Sequence, residues 1–163
     1  MPETADSRKK EALELFLRAY QEQMHGDLER AIHDYRQSIA LFPTAEAHTF
    51  LGWTYSFQKR YDEAIAECRK AIAVDPRFGN PYNDIGAYLI EMGKPDDAIP
   101  WLEKATRAQR YESPCFPHYN LGRVWERKGL WPRALECYER SVGCNPGYTL
   151  AQRAVLRLRA NSN

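Results

Sequence analysis

The chain has 163 residues, 44% of them hydrophobic and 28% charged, which is enough for one domain or a short array of repeats sharing a core. Its 23 Lys and Arg against 22 Asp and Glu leave a formal net charge of +1, which excludes a general polyanion binder acting through bulk charge. No uninterrupted apolar run approaches the roughly 18 residues of a membrane span, and four cysteines without a CxxC pair argue against a disulfide framework and fit a reducing, cytoplasmic setting.

Residues 1–11, beginning "MPETADSRKK", form a polar extension that leads into the first helix and lacks the apolar core of a secretory signal. From 12 to 147 one unit is written four times, over about 12–44, 45–78, 79–114 and 115–147. The octet "HTFLGWTY" at 48–55 returns as "YNDIGAYL" at 82–89 and "HYNLGRVW" at 118–125. Gly52, Gly86 and Gly122 are thus spaced by 34 and 36 residues, and an alanine recurs at Ala31, Ala64, Ala98 and Ala134. Pro43 and Pro76 are 33 apart, and Pro146 follows 70 later.

Each unit reads as two helices. In the second, "AEAHTFLGWTYSFQ" carries its apolar residues at helical offsets, "KRYD" turns the chain, and "EAIAECRKAIAVDP" places Ala64, Ile65, Cys68, Ala71 and Ile72 on one stripe before Pro76 stops it. The other turns use Gly26-Asp27, Gly93-Lys94-Pro95 and Gly129-Leu130-Trp131-Pro132, and Asn80-Pro81 is expected to cap the third unit. Small residues at Gly52 and Ala64, Gly86 and Ala98, and Gly122 and Ala134 predict close helix crossings, with Ala64 facing Gly52 and Ala134 facing Gly122. A last helix over 148–159, with Leu150, Ala151, Ala154, Val155 and Leu158 as its apolar stripe, should cap the array, and 160–163 form a tail.

The repeated phrase resembles the tetratricopeptide repeat, W-x2-L-G-x2-Y then A-x3-F then P over about 34 residues. His118, Leu121, Gly122, Trp125, Ala134, Tyr138 and Pro146 take those places in the fourth unit, and His48, Leu51, Gly52, Tyr55, Ala64, Cys68 and Pro76 in the second. The third unit keeps Tyr82, Ile85, Gly86, Leu89, Ala98 and Leu102 but lacks the closing proline, and the first is the most divergent. The chain is similar to small bacterial-type members with four repeats and a C-terminal capping helix. The resemblance implies an all-α, right-handed superhelical solenoid whose first helices line a concave groove that holds a peptide segment or helix of another protein.

Helical spacing about the Leu-Gly pair assigns groove positions to Phe16, Tyr20, Thr49, Trp53, Asn83, Ala87, Tyr119, Asn120 and Arg123, continued by Arg127, Arg153 and Arg157. The surface would grade from aromatic to polar and basic, which suits a segment with an apolar part and an acidic part. The same side chains have ordinary structural readings as inter-hairpin packing or solvated charge. A subtype of the family grips chaperone C-terminal carboxylates with Lys and Asn; here Phe16, Tyr20 and Phe50 stand at those places, so that ligand is not expected.

Nothing in the sequence points to catalysis. Cys115 and His118 are half a zinc site at most, no phosphate loop is present, and Asp96-Asp97 suits a helix N-terminus. The expectation is a non-enzymatic adaptor without metal or cofactor, with no nucleic-acid binding and no membrane insertion. A dedicated chaperone of an exported protein is one alternative, since "ESPCFPHYNLGRVWERKG" is faintly similar to the last repeat of type III secretion chaperones. A self-associating scaffold is another. The loop "RYESPCFPH", two residues longer than the period allows, either shapes the groove or is a tolerated insertion.

Overall fold

The computed structural model describes residues 4–161. Among them are nine α-helices and no strand: α1 Ala5–Met24, α2 Leu28–Leu41, α3 Ala45–Phe57, α4 Tyr61–Val74, α5 Asn80–Glu91, α6 Pro95–Thr106, α7 Cys115–Arg127, α8 Trp131–Cys144 and α9 Thr149–Ala160. The polar stretch before residue 12 is helical from Ala5, with Thr4 accepting a hydrogen bond from the Ser7 N–H at 3.2 Å as its cap. The expected tail falls partly on residues 162 and 163, outside the described residues.

The all-α class and the helix hairpins of tetratricopeptide solenoids are what the chain forms. Two compact units divide after Pro76. In the first, α1 pairs with α2 and α3 with α4, and α2 and α3 join the hairpins; in the second, α5 pairs with α6 and α7 with α8, with α6 against α7 and α9 against α8.

Three hairpins turn through a glycine in the left-handed region, Gly26 at φ +87°, Gly93 at +75° and Gly129 at +73°, and the α3–α4 turn places Lys59 there at +59°. Asp27 and Thr44 cap α2 and α3 by accepting from the Arg30 and Ala47 N–H groups at 3.3 and 3.0 Å. At α5 the structure departs from the expected Asn80 cap. Gly79 is the capping residue, Asn80 is already helical, and no side chain caps this end. The reason lies in the backbone before it: the Gly79 N–H donates to the Arg110 carbonyl and the Arg110 N–H to the Arg77 carbonyl, each at 3.0 Å, so the long loop after α6 lies along the approach to α5.

The helix crossings are as close as the small residues require. A Cβ added at Gly52 would lie 2.9 Å from the Ala64 carbonyl oxygen. At Gly122, the group met is the Tyr138 ring, with Cε1 at 2.5 Å, rather than Ala134, because a large ring at the next inward position of α8 fills the space first. Two further contacts repeat. The Tyr35 hydroxyl donates to Gln23 at 2.8 Å and Tyr138 to Glu126 at 2.7 Å, while Ser38 and Ser141 donate to the Ala12 and Cys115 carbonyls at 2.7 Å. Ile90, Leu102, Val124, Tyr138, Val155 and Leu158 belong to the continuous core of the second unit. Leu150 differs from expectation, standing 51% exposed, since Ala151, Ala154, Val155 and Leu158 alone hold the i, i+3, i+4, i+7 face of α9.

Candidate functional site

In the first unit, the first helices of the two hairpins carry a run of rings. Phe16 of α1 packs edge-on against Phe50 of α3 at 5.3 Å between centroids and lies 5.7 Å from Tyr35. Phe50 continues to Tyr20 at 5.7 Å and to Trp53 at 5.8 Å, and Trp53 meets Phe57 at 5.2 Å. Phe16 and Phe50 belong to the joint between hairpins, whereas Tyr20 and Phe57 are exposed at 39% and 52% and Trp53 is half-buried between them. Leu13, Leu17 and Met24 add exposed apolar surface on α1. Thr49 is withdrawn from this face: it is 3% exposed and its hydroxyl donates to the Ala45 carbonyl at 2.7 Å. Phe50, read in the sequence only as a missing asparagine, is the ring that connects the others.

In the second unit, the matching face of α5 and α7 is polar and internally wired. Asn83 and Asn120 are both 7% exposed, and the Asn120 amide donates to Asn83 Oδ1 at 3.0 Å. Arg123 donates to Asn120 Oδ1 at 3.1 Å and to Glu91 at 2.5 Å, so one chain of bonds ties α5 to α7. Arg127 donates to the Ile90 carbonyl at 2.9 Å, and Arg157 of α9 pairs with Glu126 through both guanidinium nitrogens. Of the arginines expected to grip an acid, Arg153 is exposed and the other three already have partners in the fold. Ala87 is half-buried.

Around this wiring lies a group of side chains that the repeat pattern does not single out. Asp84 is partly buried, and the Asn83 amide donates to it at 3.5 Å. Burial pushes its pKa up to about 7, opposed by that amide. Tyr111, from the long loop, packs where Gly79 leaves room: a Cβ on Gly79 would come within 2.6 Å of its ring. Burial pushes the Tyr111 phenol far up, with the Asp84 charge, Cys115 and Tyr148 adding to it. Tyr148 is raised to about 12 by burial, then by Tyr119 and Cys115, and Arg123 works against this. The rings of Tyr119 and Tyr148 lie 5.3 Å apart, and Phe116 sits 5.2 Å from Tyr148. The signal for Asp84 was present, since it precedes Ile85-Gly86 as Asn120 precedes Leu121-Gly122. Tyr111 lay in the insertion, where repeat spacing predicts nothing.

The two histidines of the octet have different surroundings. His48 Nδ1 is 2.7 Å from Glu67 Oε2, and the Glu67 carboxyl, itself bonded by Lys70, is held below its ordinary pKa. His118 opens into a crevice of about 360 Å³ lined by Arg107, Arg133, Arg140, Glu103 and Glu136, where burial and then Arg140 lower its pKa. Cys115 is buried, and its thiol is pushed up by burial against a hydrogen bond with Asn145. Among the described residues no three His, Cys, Asp or Glu side chains are grouped to hold a metal ion, and no helix is long and apolar enough to cross a membrane.

Two family profiles, each described as tetratricopeptide repeat, match residues 45–78 and 83–149, together more than half of the chain. The chain is 29% identical over 105 residues to "Small glutamine-rich tetratricopeptide repeat-containing protein 2" of Saccharomyces cerevisiae, covering 64% of this chain and 30% of that protein. It is 28% identical over 121 residues to "Type IV pilus assembly protein PilF" of Pseudomonas aeruginosa, covering 74% of this chain and 48% of that one. The chain therefore spans less than half the length of either relative. The solved structure of Pseudomonas aeruginosa PilF superposes with a TM-score of 0.87 at 23% identity, over 95% of this chain and 70% of that one. That of YrrB, described as "a TPR protein with an unusual peptide-binding site", does so at 0.67 and 22% identity, over 94% and 79%. At these identities the two structures show the fold alone. With both profiles falling on the hairpins that carry the repeated octet, the chain belongs to the tetratricopeptide repeat family.

Proposed function

We propose that this chain is a non-enzymatic adaptor that holds a peptide segment of a partner protein on the first-helix faces of its hairpins. The observation that carries the reading is the contrast between those faces and the rest of the fold. The repeated glycines, alanines and tyrosines are taken up in packing, while Tyr20, Trp53 and Phe57 in one unit and Asn83, Asp84, Tyr119 and Arg123 in the other differ from repeat to repeat. Positions that vary within a repeated scaffold are free to encode recognition. Exposed rings supply contact area with few rotors, and paired amides and a guanidinium suit an extended backbone. The expected affinity is micromolar, on the order of 8 kcal/mol. A peptide-binding protein of the same fold supports the reading, and so does the interaction role general to the family. Four free thiols, at Cys68, Cys115, Cys137 and Cys144, support a reducing compartment such as the cytoplasm.

The test is affinity capture from the source cell with the native chain and with a Trp53→Ala, Asn83→Ala, Arg123→Ala variant whose helicity is checked by circular dichroism. A partner held by the native chain and lost by the folded variant is the expected result. An unchanged partner set would move recognition to the second-helix surfaces, the loop of residues 107–114 or the termini.

A further inference from the structure

The second and fourth hairpins repeat one set of three positions with one change. His48, Glu67 and Lys70 return 70 residues on as His118, Cys137 and Arg140. In the second hairpin the Glu67 carboxylate bridges the other two: Oε2 lies 2.7 Å from His48 Nδ1, and Oε1 accepts from Lys70 Nζ at 2.7 Å. The fourth hairpin keeps an imidazole and a cation but has Cys137 in the bridging place, enclosed to the same 9% exposure as Glu67. Burial pushes the Cys137 thiol up, so it carries no charge there. The third hairpin closes the same places with rings, Tyr82 and Trp101 at 6.2 Å between centroids and Lys104 over Trp101 at 5.0 Å.

In the fourth hairpin these places stay open. A crevice of about 360 Å³ is lined by both His118 and Cys137, and among the described residues the His118 ring has no hydrogen-bond partner. Arg107 and Arg133 line it without an ion pair; Arg133, which stands where the second hairpin has Glu63, lies over the Trp125 ring at 3.8 Å. Arg140 donates to Glu136 at 2.6 Å, but the two side chains are 62% and 59% exposed, and a pair so solvated yields readily to a competitor. With Glu103 the wall carries three guanidiniums against two carboxylates. An imidazole and guanidiniums facing open space, with one positive charge in excess, are the chemistry that holds a carboxylate.

We propose that the crevice between α6, α7 and α8 takes the carboxylate side chain of an acidic peptide segment, held by His118 and Arg140 as Glu67 is held by His48 and Lys70. The ligand supplies from outside the acid that the second hairpin carries within. By helical spacing His118, Leu121 and Trp125 lie on the side of α7 opposite Asn120 and Arg123. The crevice is therefore a second place of contact, and it does not depend on the first-helix faces holding a peptide.

Two blocked short peptides test it by NMR titration of the full chain near pH 6, one with a central glutamate among alanines and its twin with glutamine in that place. The glutamate peptide is expected to bind at millimolar concentration, about tenfold more tightly than its twin, with shifts at the His118 ring and the Trp125 indole. It should also raise the titration midpoint of His118, which burial and Arg140 hold low in the free chain. Arg140→Gln, checked for folding by circular dichroism, should bring the two peptides to equal affinity. Cys137→Glu should supply the acid from within, raise the His118 midpoint without any peptide and abolish the preference. Equal affinity of the two peptides for the native chain, or a glutamate preference that survives Arg140→Gln, overturns the site and leaves the adaptor reading standing. A preference retained by folded Cys137→Glu overturns it as well, and Arg140→Gln decides alone where Cys137→Glu does not fold.

Discussion

At the residue scale, Lys59 shows how the repeat tolerates an exception. It occupies the turn position that Gly26, Gly93 and Gly129 fill in the other hairpins, at φ +59°. An L-residue there suffers a clash between Cβ and the backbone worth roughly 1–2 kcal/mol, whereas glycine adopts the conformation freely but loses more entropy on folding. The first effect exceeds the second, and the exposed Lys59 side chain has little packing to lose. Lys59→Gly is therefore expected to stabilise the chain by about 0.5–1 kcal/mol, seen as a higher urea midpoint with an unchanged slope. An unchanged or lower midpoint would mean that Lys59 contributes a contact that outweighs its backbone strain. His48 and His118 teach the complementary lesson: the same letter at the same offset faces Glu67 in one hairpin and Arg140 in the other, so the role of a repeated residue depends on the helix opposite.

At the element scale, the hairpin is the unit that the sequence made legible. Periods of 34 and 36, the glycine turns and the small-residue positions predict eight helices and a ninth as a cap, because each hairpin must solve the same packing problem. What escaped was whatever the period does not repeat: the cap at Gly79, the loop pinned along 77–79, and Tyr138 rather than Ala134 as the neighbour of Gly122. That last contact makes a sharp prediction. A methyl at Gly122 would sit 2.5 Å from Tyr138 Cε1, and the ring cannot retreat without giving up its 2.7 Å hydroxyl bond to Glu126. Gly122→Ala should cost about 2–3 kcal/mol by overpacking. In the double variant with Tyr138→Leu, which mimics the Leu102 found opposite Gly86, the ring and its constraint are gone. Thermal unfolding of the singles and the double gives the coupling, and additive effects would show that the two side chains do not compete for one space.

At the scale of the whole molecule, both units carry buried acids, and their opposite shifts shape the dependence of stability on pH. Asp34 and Glu67 in the first unit and Glu126 in the second are held below their ordinary pKa values, mainly by bonds from Arg18, from His48 and Lys70, and from Arg157. Their stabilisation is present above the unfolded pKa, near 4, and is lost as pH falls through the folded value. Asp84 works the other way. Its folded pKa of about 7 lies above the ordinary 3.8, so the folded chain binds the extra proton between those limits and stability falls as pH rises through that window. A rise from 3.8 to about 7 corresponds to roughly 4 kcal/mol, and the solvent contact that Asp84 retains brings the expected loss to about 2–3 kcal/mol between about pH 4 and pH 8. Glu22 is shifted in the same direction by burial, and His118, lowered, acts in the opposite sense as pH rises toward the ordinary histidine value of 6.5. The Asp84 contribution is therefore read as a difference. The Asn83 amide bonds Asp84 and the Tyr111 phenol feels its charge; Tyr111 and its own neighbours Cys115 and Tyr148 are all shifted upward, away from this window. Asp84→Asn, which keeps the shape and removes the proton, should come nearest the native chain at about pH 4 and exceed its stability at pH 8. Urea unfolding at the two pH values measures this, and parallel curves would mean that Asp84 ionises in the folded chain as freely as in water.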